Sequence, residues 1–357
     1  MKQLTPLRLA FVFAGCFLGA GYVSGQELWQ FFGSYGLGGY FGILLAIALL
    51  FTYGILILRL SQITQEAEMD RMVIPWNIPI LRTFMSVLNV VFLFGVAAIM
   101  SAGIGALLEQ LFGLPHMVGS LIFCLLVLLV AAFGLQGVVS AFSFSVPMLV
   151  VVTLLFGIIT VWRNDFTAIV WEVKSGENGM LGNWAAGAVN FACYNVFGII
   201  GLMVPFAGFI PDKKTIYRGV SMGSVGLLAI ALSVLLCLSF YPEAAAAELP
   251  MLVLAGQFGR WASYLYALLL ALAMFGTALS SLVSMTDFLS RKFRPVRENS
   301  RRWLGGFTAL AFVASLYGFG DLIGVLYPIF GYCSALFLLL MLVQFIQLHR
   351  AGVTKVK

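Results

Sequence analysis

Long apolar runs separated by short polar segments dominate the chain and predict a bundle of membrane-spanning helices. Ten runs are bounded by charges, prolines or glycine clusters. They cover residues 9–32, 36–60, 79–108, 116–134, 137–162, 183–209, 219–240, 261–289, 303–318 and 321–348. Most reach the about 20 apolar residues that a helix needs to cross a bilayer. The runs are continuous, whereas strands of a transmembrane barrel alternate apolar and polar residues, so the pattern disfavours a barrel.

Composition leads to the same class. Of 357 residues, 62% are hydrophobic and 10% are charged, whereas an average soluble domain is about a quarter charged. A water-soluble fold cannot bury so much apolar surface. The expected fold is therefore all-α and polytopic, with the lipid bilayer as its surroundings.

The distribution of positive charge predicts the orientation in the membrane. With the amino terminus in the cytoplasm, Arg163, Lys174 and Arg260 are the only external members of the 20 Lys and Arg residues. This is a strong positive-inside bias, and an even number of spans places both termini in the cytoplasm. The expected location is the bacterial inner membrane. The net charge of +6 thus reflects orientation, and no nucleic-acid partner is expected.

Residues for covalent chemistry are scarce. The five cysteines lie in apolar runs without ligand spacing, and His116 and His349 are far apart, so we expect reduced, structural cysteines. The chain has no P-loop, no paired metal-binding carboxylates and no plausible Ser/His/Asp set. We expect neither an enzyme nor a bound cofactor; the oligomeric state stays open.

Two of the ten segments are poor continuous helices. The first is interrupted at Gly19-Ala20-Gly21 and at Ser24-Gly25, and the sixth holds Asn190, Tyr194, Asn195 and Gly198 in its middle. They open two sets of five, which predicts repeats at 1–162 and 163–357 with discontinuous helices 1 and 6. Because five is odd, the second repeat is inverted, as in transporters with a midplane site.

A helix broken inside a membrane exposes backbone groups that need protein, water, ion or substrate partners. At Gly19-Ala20-Gly21 the amide groups and the positive end of the next half-helix suit a carboxylate. The carbonyls near Gly15 and Leu18 suit a small cation. A close helix crossing at the small residues is the alternative explanation.

The sequence Gly19-Ala20-Gly21-Tyr22-Val23 resembles the Gly-Ser-Gly-Ile-Phe signature of the amino acid-polyamine-organocation superfamily. The longer stretch 19–32 resembles the opening helix of the uncharacterised bacterial YkvI-type membrane proteins. The resemblance implies the leucine-transporter fold, a 5+5 inverted repeat. Residues 191–198 resemble the aromatic-rich break of helix 6 but lack the acidic residue that many members carry after it.

The resemblance also implies a sodium site. Sodium-coupled members bind the ion between helix 1 carbonyls and an Ala-x-x-Thr/Ser-Ser/Thr pattern on helix 8, and this chain has Thr277-Ala278-Leu279-Ser280-Ser281. The implied ligands are the carbonyls of Gly15, Leu18 and Thr277 and the hydroxyls of Ser280 and Ser281. Alternatively, the hydroxyls bond back to the preceding turn.

Proton-coupled relatives use a lysine on helix 5 in place of this cation. The fifth segment has no charged residue before Arg163, which favours sodium. Glu27 keeps a proton route open, because an ionisable residue at membrane depth is a functional candidate. It could pair with an amine, carry a proton or line the outer vestibule. Alternatively, it is a structural residue wetted at the outer interface.

A substrate pocket is expected where polar groups cluster near the two breaks. Each group alone is also explained by an interhelical hydrogen bond. The candidates are Gly19, Ala20, Gly21, Tyr22, Glu27, Asn89, Asn190, Tyr194, Asn195 and Phe197.

These patterns predict a cation-coupled, sodium-favoured secondary transporter of an amino acid or a similarly small carboxylate-bearing solute. The alternative is a membrane sensor or receptor subunit that keeps the fold and binds a ligand without transport. A channel is disfavoured because no charged ring or filter-like repeat is present.

Overall fold

The structure is a computed structural model that describes residues 4–65, 69–76, 78–133, 138–165, 167, 169 and 178–351. Within these ranges the chain is helical and contains no strand. Lys174, one of the three cations predicted to be external, lies outside the described residues, and so do both chain ends.

Fifteen α-helices follow one another in the described ranges. In chain order they are α1 Pro6–Phe17, α2 Ala20–Ser24, α3 Gln26–Phe31, α4 Leu37–Thr64, α5 Met69–Val73, α6 Pro79–Phe112, α7 His116–Phe133, α8 Val138–Arg163, α9 Trp184–Met203, α10 Lys213–Phe240, α11 Pro250–Gln257, α12 Arg260–Lys292, α13 Arg294–Glu298, α14 Ser300–Ser315 and α15 Phe319–Arg350. Short 3₁₀ helices occupy Gly33–Tyr35, Val204–Phe209 and Pro242–Ala246.

Each of the ten predicted spans coincides with a helix or a helix series. Among the described residues, α4, α6, α9, α10, α12 and α15 are individually long and apolar enough to cross a membrane. The other four predicted spans correspond to α7, α8, α14 and the series α1 to α3. The multi-span helical architecture is confirmed, while the number ten stays a prediction.

Several helices begin and end at residues with a clear local cause. The Asn183 side chain accepts hydrogen bonds from the first amides of α9, and Asp212 Oδ1 accepts one from Thr215 N at the start of α10. Such caps satisfy amides that have no partner within the helix. Helix α6 ends at Gly113, whose φ of 67° suits glycine.

Helix packing follows a pattern that relates the two predicted repeats. Helix α1 packs on α10, and α9 packs on α4. These are contacts of span 1 with span 7 and of span 6 with span 2, which are the same contact with the two sets of five spans exchanged. The pairs α4–α10 (spans 2 and 7) and α6–α12 (spans 3 and 8) are unchanged by this exchange. This pattern is what a repeat predicts, although the boundary between residues 162 and 163 stays a prediction.

Close helix contacts are made at glycines. A Cβ on Gly219 would lie 2.7 Å from Leu9 Cδ2, and one on Gly223 would lie 2.8 Å from Phe13 Cδ1. Leu9 and Phe13 are fully buried. The first half of helix 1 is therefore held tightly on α10, which fixes where the chain leaves the helical path after Phe17.

Candidate functional site

Helix 1 is interrupted where the Gly19-Ala20-Gly21 sequence predicts a break. Helix α1 ends at Phe17, and Gly19 is extended (φ −73°, ψ 168°) before α2 begins at Ala20. Gly19 N donates to Phe17 O at 2.7 Å and Tyr22 N donates to Gly19 O at 3.2 Å. In a continuous helix these amides would bond Gly15 O and Leu18 O. The two carbonyls are thus released from their helical partners.

A second bend follows at Gly25, which separates α2 from α3. Its φ of 87° lies in the left-handed region, where glycine pays no steric cost. A Cβ there would lie 3.0 Å from Met251 Cγ and 3.2 Å from Leu238 Cδ1. The bend brings Glu27 back against the start of α2, since a Cβ on Gly21 would lie 2.6 Å from Glu27 Oε2.

Glu27 is buried and touches the sixth span. The Tyr194 hydroxyl on α9 donates to Glu27 Oε1, and the Asn195 side chain lies beside both groups. Asn195 also donates to Phe191 O of its own helix at 3.0 Å. Three of the predicted site residues, Glu27, Tyr194 and Asn195, are therefore brought together next to the helix 1 break.

Aromatic rings surround Tyr194, the residue that donates to this carboxylate. The Tyr194 ring stacks on Tyr327 of α15 with centroids 4.6 Å apart. It also contacts Phe31 at 5.5 Å and Phe191 at 5.6 Å. Tyr194 is thus held in place by rings from α3, α9 and α15.

Other predicted residues have structural partners. The Tyr22 hydroxyl donates to Leu227 O at 2.9 Å, and Asn190 Nδ2 donates to Pro328 O at 2.9 Å. Ala20 is buried at the first turn of α2. These contacts join helix 1 to α10 and helix 6 to α15, the interhelical hydrogen bonds that the sequence left open as an alternative.

Two further predicted residues lie on α9 and α6. Phe197 is buried against Phe92 and Phe337. Asn89 lies half-buried in the first half of α6. Their part in a substrate pocket stays a prediction.

The predicted break at residues 194–198 is wrong. Helix α9 is continuous from Trp184 to Met203, and the departure from α-helical geometry comes later, in the 3₁₀ helix Val204–Phe209. Asn195 bonds back within its helix, and a Cβ on Gly198 would lie 2.9 Å from Phe92. The polar residues and the glycine therefore serve side-chain contacts and close packing instead of unwinding.

The predicted sodium ligands on α12 partly bond to their own helix. Thr277 Oγ1 donates to Ala273 O at 2.9 Å and Ser280 Oγ donates to Thr277 O at 3.1 Å. The second bond places two of the predicted ligand oxygens side by side. Ser281 is buried. Helix α12 packs on α2, where Tyr266 donates to Val23 O at 2.6 Å, so it adjoins the interrupted segment.

Four residues outside the predicted site also form contacts between the helices that surround the helix 1 break. Tyr327 stacks on Tyr194, Gln30 Nε2 donates to Gly320 O at 2.8 Å, and Glu248 Oε2 accepts from Phe319 N at 2.6 Å. Tyr266 ties α12 to α2. All four contacts join residues that are far apart in the sequence, so no local pattern predicts them. The one local signal was Pro328 inside the tenth span, since a proline frees the carbonyl four residues earlier; Gly324 O accepts from Asn178 Nδ2 at 2.8 Å.

The two halves of helix 1 differ in enclosure. Every residue from Ala20 to Trp29 is buried. Gly15 is exposed, and no heavy atom of the described chain outside its own helix lies within 4 Å of a Cβ placed on Gly15 or Gly19. The segment after the break is therefore enclosed, whereas Gly15 lies on the same exposed face of α1 as Leu7 and Phe11.

This architecture defines a polytopic membrane protein with the leucine-transporter fold. The chain matches the inward-facing conformation of Mhp1 with a TM-score of 0.55 and 17% identity, over 93% of this chain and 74% of that one.

Two relatives from Bacillus subtilis (strain 168) extend the likeness to sequence. The uncharacterised membrane protein YkvI is 28% identical over 338 residues, 93% of each chain. The uncharacterised protein YyaD is 25% identical over 337 residues, 89% of this chain and 90% of the relative. No family model matches. The resemblance to YkvI-type proteins is confirmed.

Proposed function

We propose that the chain is a cation-coupled secondary transporter, with sodium as the coupling ion, of an amino acid or a similarly small carboxylate-bearing solute. It lies in the bacterial inner membrane with both termini in the cytoplasm. Access alternates around the helix 1 break by movement of one helix bundle against the other. The fold and the distribution of basic residues support this proposal.

The single observation that carries it is the interruption at Leu18 and Gly19. The carbonyls of Gly15 and Leu18 have lost their helical donors, and unpaired backbone groups persist within a membrane only where an ion, water, substrate or protein group supplies a partner. Two neutral carbonyls that face the same break suit a weakly held monovalent cation. The Ser280 and Thr277 oxygens, 3.1 Å apart, supply the opposing ligands in this proposal.

The solute position follows from the same break. Glu27 lies against Gly21 just after the break and accepts from Tyr194, on the side that the proposed orientation makes external. An ion and a solute bound on either side of one unwound segment share its backbone, so each stabilises the conformation that the other binds. That reciprocity is what coupled transport requires.

Uptake into proteoliposomes tests the proposal. The purified chain is reconstituted, a sodium gradient is imposed, and accumulation of a panel of radiolabelled amino acids and small carboxylates is measured. We expect accumulation that depends on external sodium and is lost in Ser281→Ala. Ser290→Ala is the control, because Ser290 is half-buried near the other end of the same helix, away from Ser281, and its hydroxyl donates to Asp287 O.

The outcomes separate the alternatives. Saturable binding without flux supports a sensor with the transporter fold. Accumulation that is driven by a proton gradient and does not depend on sodium contradicts sodium coupling. Accumulation that Ser281→Ala leaves unchanged contradicts the assigned cation ligands.

A further inference from the structure

The connection between α12 and α14 carries a dense cluster of positive charge. Residues 291–302, which we call the basic segment, contain five Arg, one Lys and one Glu. They hold 6 of the 20 Lys and Arg residues of the whole chain. The positive-inside rule depends on how many cations a loop carries and does not require them to lie side by side. The density of charge therefore needs a further explanation.

The basic segment presents its charge outside the helix bundle. Its six basic side chains are all exposed, and they are Arg291, Lys292, Arg294, Arg297, Arg301 and Arg302. Val296, in the middle of α13, is 6% exposed and anchors the segment. Lys292 Nζ donates to Ser86 Oγ of α6 at 2.7 Å. The segment is thus packed on the bundle through a few contacts and leaves its arginines at the surface.

Most of this charge has no partner within the protein. Arg294 Nε forms an ion pair with Glu298 Oε1 at 2.7 Å, and both side chains are largely exposed, so the pair contributes little. The other four arginines form no ion pair or side-chain hydrogen bond with any residue that the structure describes. Asp287 lies one helical turn earlier on α12, and from residue 287 to residue 302 six positive charges face two negative ones. The surface lacks anionic groups.

The basic segment lies at a face of the bilayer. It follows α12, which is long and apolar enough to cross a membrane, and leads into α14, which corresponds to the ninth predicted span. Two aromatic residues beside the cations are exposed, Phe293 by 54% and Trp303 by 42%. Trp is enriched at the level of lipid headgroups, and Phe beside basic residues is typical of segments that lie in the interface. The cations therefore lie near the headgroups, whichever way the chain is oriented.

The type of cation favours phosphate as the partner. Five of the six basic residues are arginines. A guanidinium donates two parallel hydrogen bonds to phosphate oxygens, whereas a lysine ammonium acts as a point charge. Clusters of about four to eight Lys and Arg residues next to a membrane helix are typical of anionic-lipid recognition. The exposed aromatic rings match a partner that has an apolar chain as well as a phosphate.

We propose that the basic segment binds the headgroups of anionic phospholipids, with its arginines on the phosphate groups and Phe293 and Trp303 against the adjoining acyl chains. The proposal does not depend on transport and goes beyond the proposed function. Free phosphate matches the charge of the segment but leaves the aromatic side chains without a partner.

Lipid binding to the purified full-length chain tests this proposal. The chain in detergent is titrated with dioleoyl phosphatidylglycerol or dioleoyl phosphatidylcholine at constant ionic strength, and bound lipid molecules are counted by native mass spectrometry. We expect the first phosphatidylglycerol to bind at least about tenfold more tightly than phosphatidylcholine, because each cation near an anionic lipid surface contributes several-fold to affinity. Inorganic phosphate added at the same ionic strength should not displace it.

Substitutions within the segment locate the site. A variant that combines Arg297→Gln, Arg301→Gln and Arg302→Gln should lose most of the preference for phosphatidylglycerol. All three residues are exposed, so without lipid this variant should unfold at the wild-type temperature. Replacing the same three residues by Lys keeps the charge but removes the guanidinium forks, and we expect an intermediate preference.

A second basic cluster provides the matched control. Lys213→Gln, Lys214→Gln and Arg218→Gln remove the same charge from the start of α10. There Asp212 lies beside Lys214 and Arg218 and already opposes their charge. This variant should keep the full preference for phosphatidylglycerol.

The outcomes separate a lipid site from general electrostatic attraction. Equal affinities for the two lipids overturn the proposal, and so does a preference that the Gln variant of the basic segment retains. Equal losses in this variant and in the α10 control show attraction without a site. Displacement by inorganic phosphate assigns the arginines to a free anion and also overturns the proposal. None of these measurements involves uptake, so the proposed function is tested separately.

Discussion

At the scale of single residues, glycines decide the path of helix 1. Gly19 allows the extended turn after Phe17, and Gly25 takes a φ of 87°. Only the second position demands glycine sterically, because no heavy atom crowds a Cβ at Gly19 whereas Met251 and Leu238 do so at Gly25. Gly25 thereby determines that Glu27 returns to the break.

Gly25→Ala should therefore destabilise the protein. The left-handed conformation alone costs a non-glycine residue about 1–2 kcal/mol, and the contacts with Met251 and Leu238 add strain. The measurement is thermal unfolding in detergent. Gly226→Ala is the matched control, because it lies within α10 with open space around its Cβ and should cost nothing. Equal melting temperatures for the two variants would contradict the assigned role of Gly25.

At the scale of elements, the sequence predicts helices better than the partners of their polar residues. Each apolar run coincides with a helix or a helix series of the described chain, and three glycines in seven residues at 19–25 predict the helix 1 break, because unwinding is a local property of the backbone. The prediction of a break in helix 6 was wrong because the polar side chains there already have partners. Tyr194 donates a hydrogen bond to Glu27, and Asn195 donates one to Phe191 O. The stacking of Tyr327 on Tyr194 is not predictable locally either, since it depends on how distant helices pack.

Helix starts outside the membrane provide a pH-dependent test at the same scale. Hydrogen bonds from the Thr215 side chain and backbone hold the pKa of Asp212 below its ordinary value, and Lys214 and Arg218 lower it further. A depressed folded-state pKa stabilises the fold above the unfolded pKa of about 4. This contribution is lost as the pH falls through the folded value.

Asp212→Asn should keep the cap and remove its pH dependence. We expect the difference in melting temperature between wild type and Asp212→Asn to stay constant above about pH 5 and to change below the unfolded pKa. Asp212→Ala should lower the melting temperature at every pH, because alanine has no side-chain acceptor for the first amides of α10. If the difference in melting temperature between wild type and Asp212→Asn does not vary with pH, the carboxylate stabilises the helix start no more than the amide does.

At the scale of the whole molecule, enclosure is asymmetric. The second half of helix 1, formed by α2 and α3, is buried against α11, α12 and α15, and Glu248 caps α15 by accepting from Phe319 N and Gly320 N. The half that begins at Pro6 exposes Gly15. A transporter that alternates must also adopt the converse arrangement. In that arrangement the hydrogen bonds to Gly320 O and Val23 O break, and α1 becomes covered.

Side-specific labelling of Gly19→Cys tests this alternation most directly. The variant is placed in a background in which the five native cysteines are replaced, and a membrane-impermeant thiol reagent is applied to right-side-out and inside-out vesicles, with and without sodium. We predict modification from both sides, faster from the cytoplasmic side without sodium, and a shift towards the external side when sodium is added. Modification from the cytoplasmic side alone under every condition would contradict alternating access at the helix 1 break.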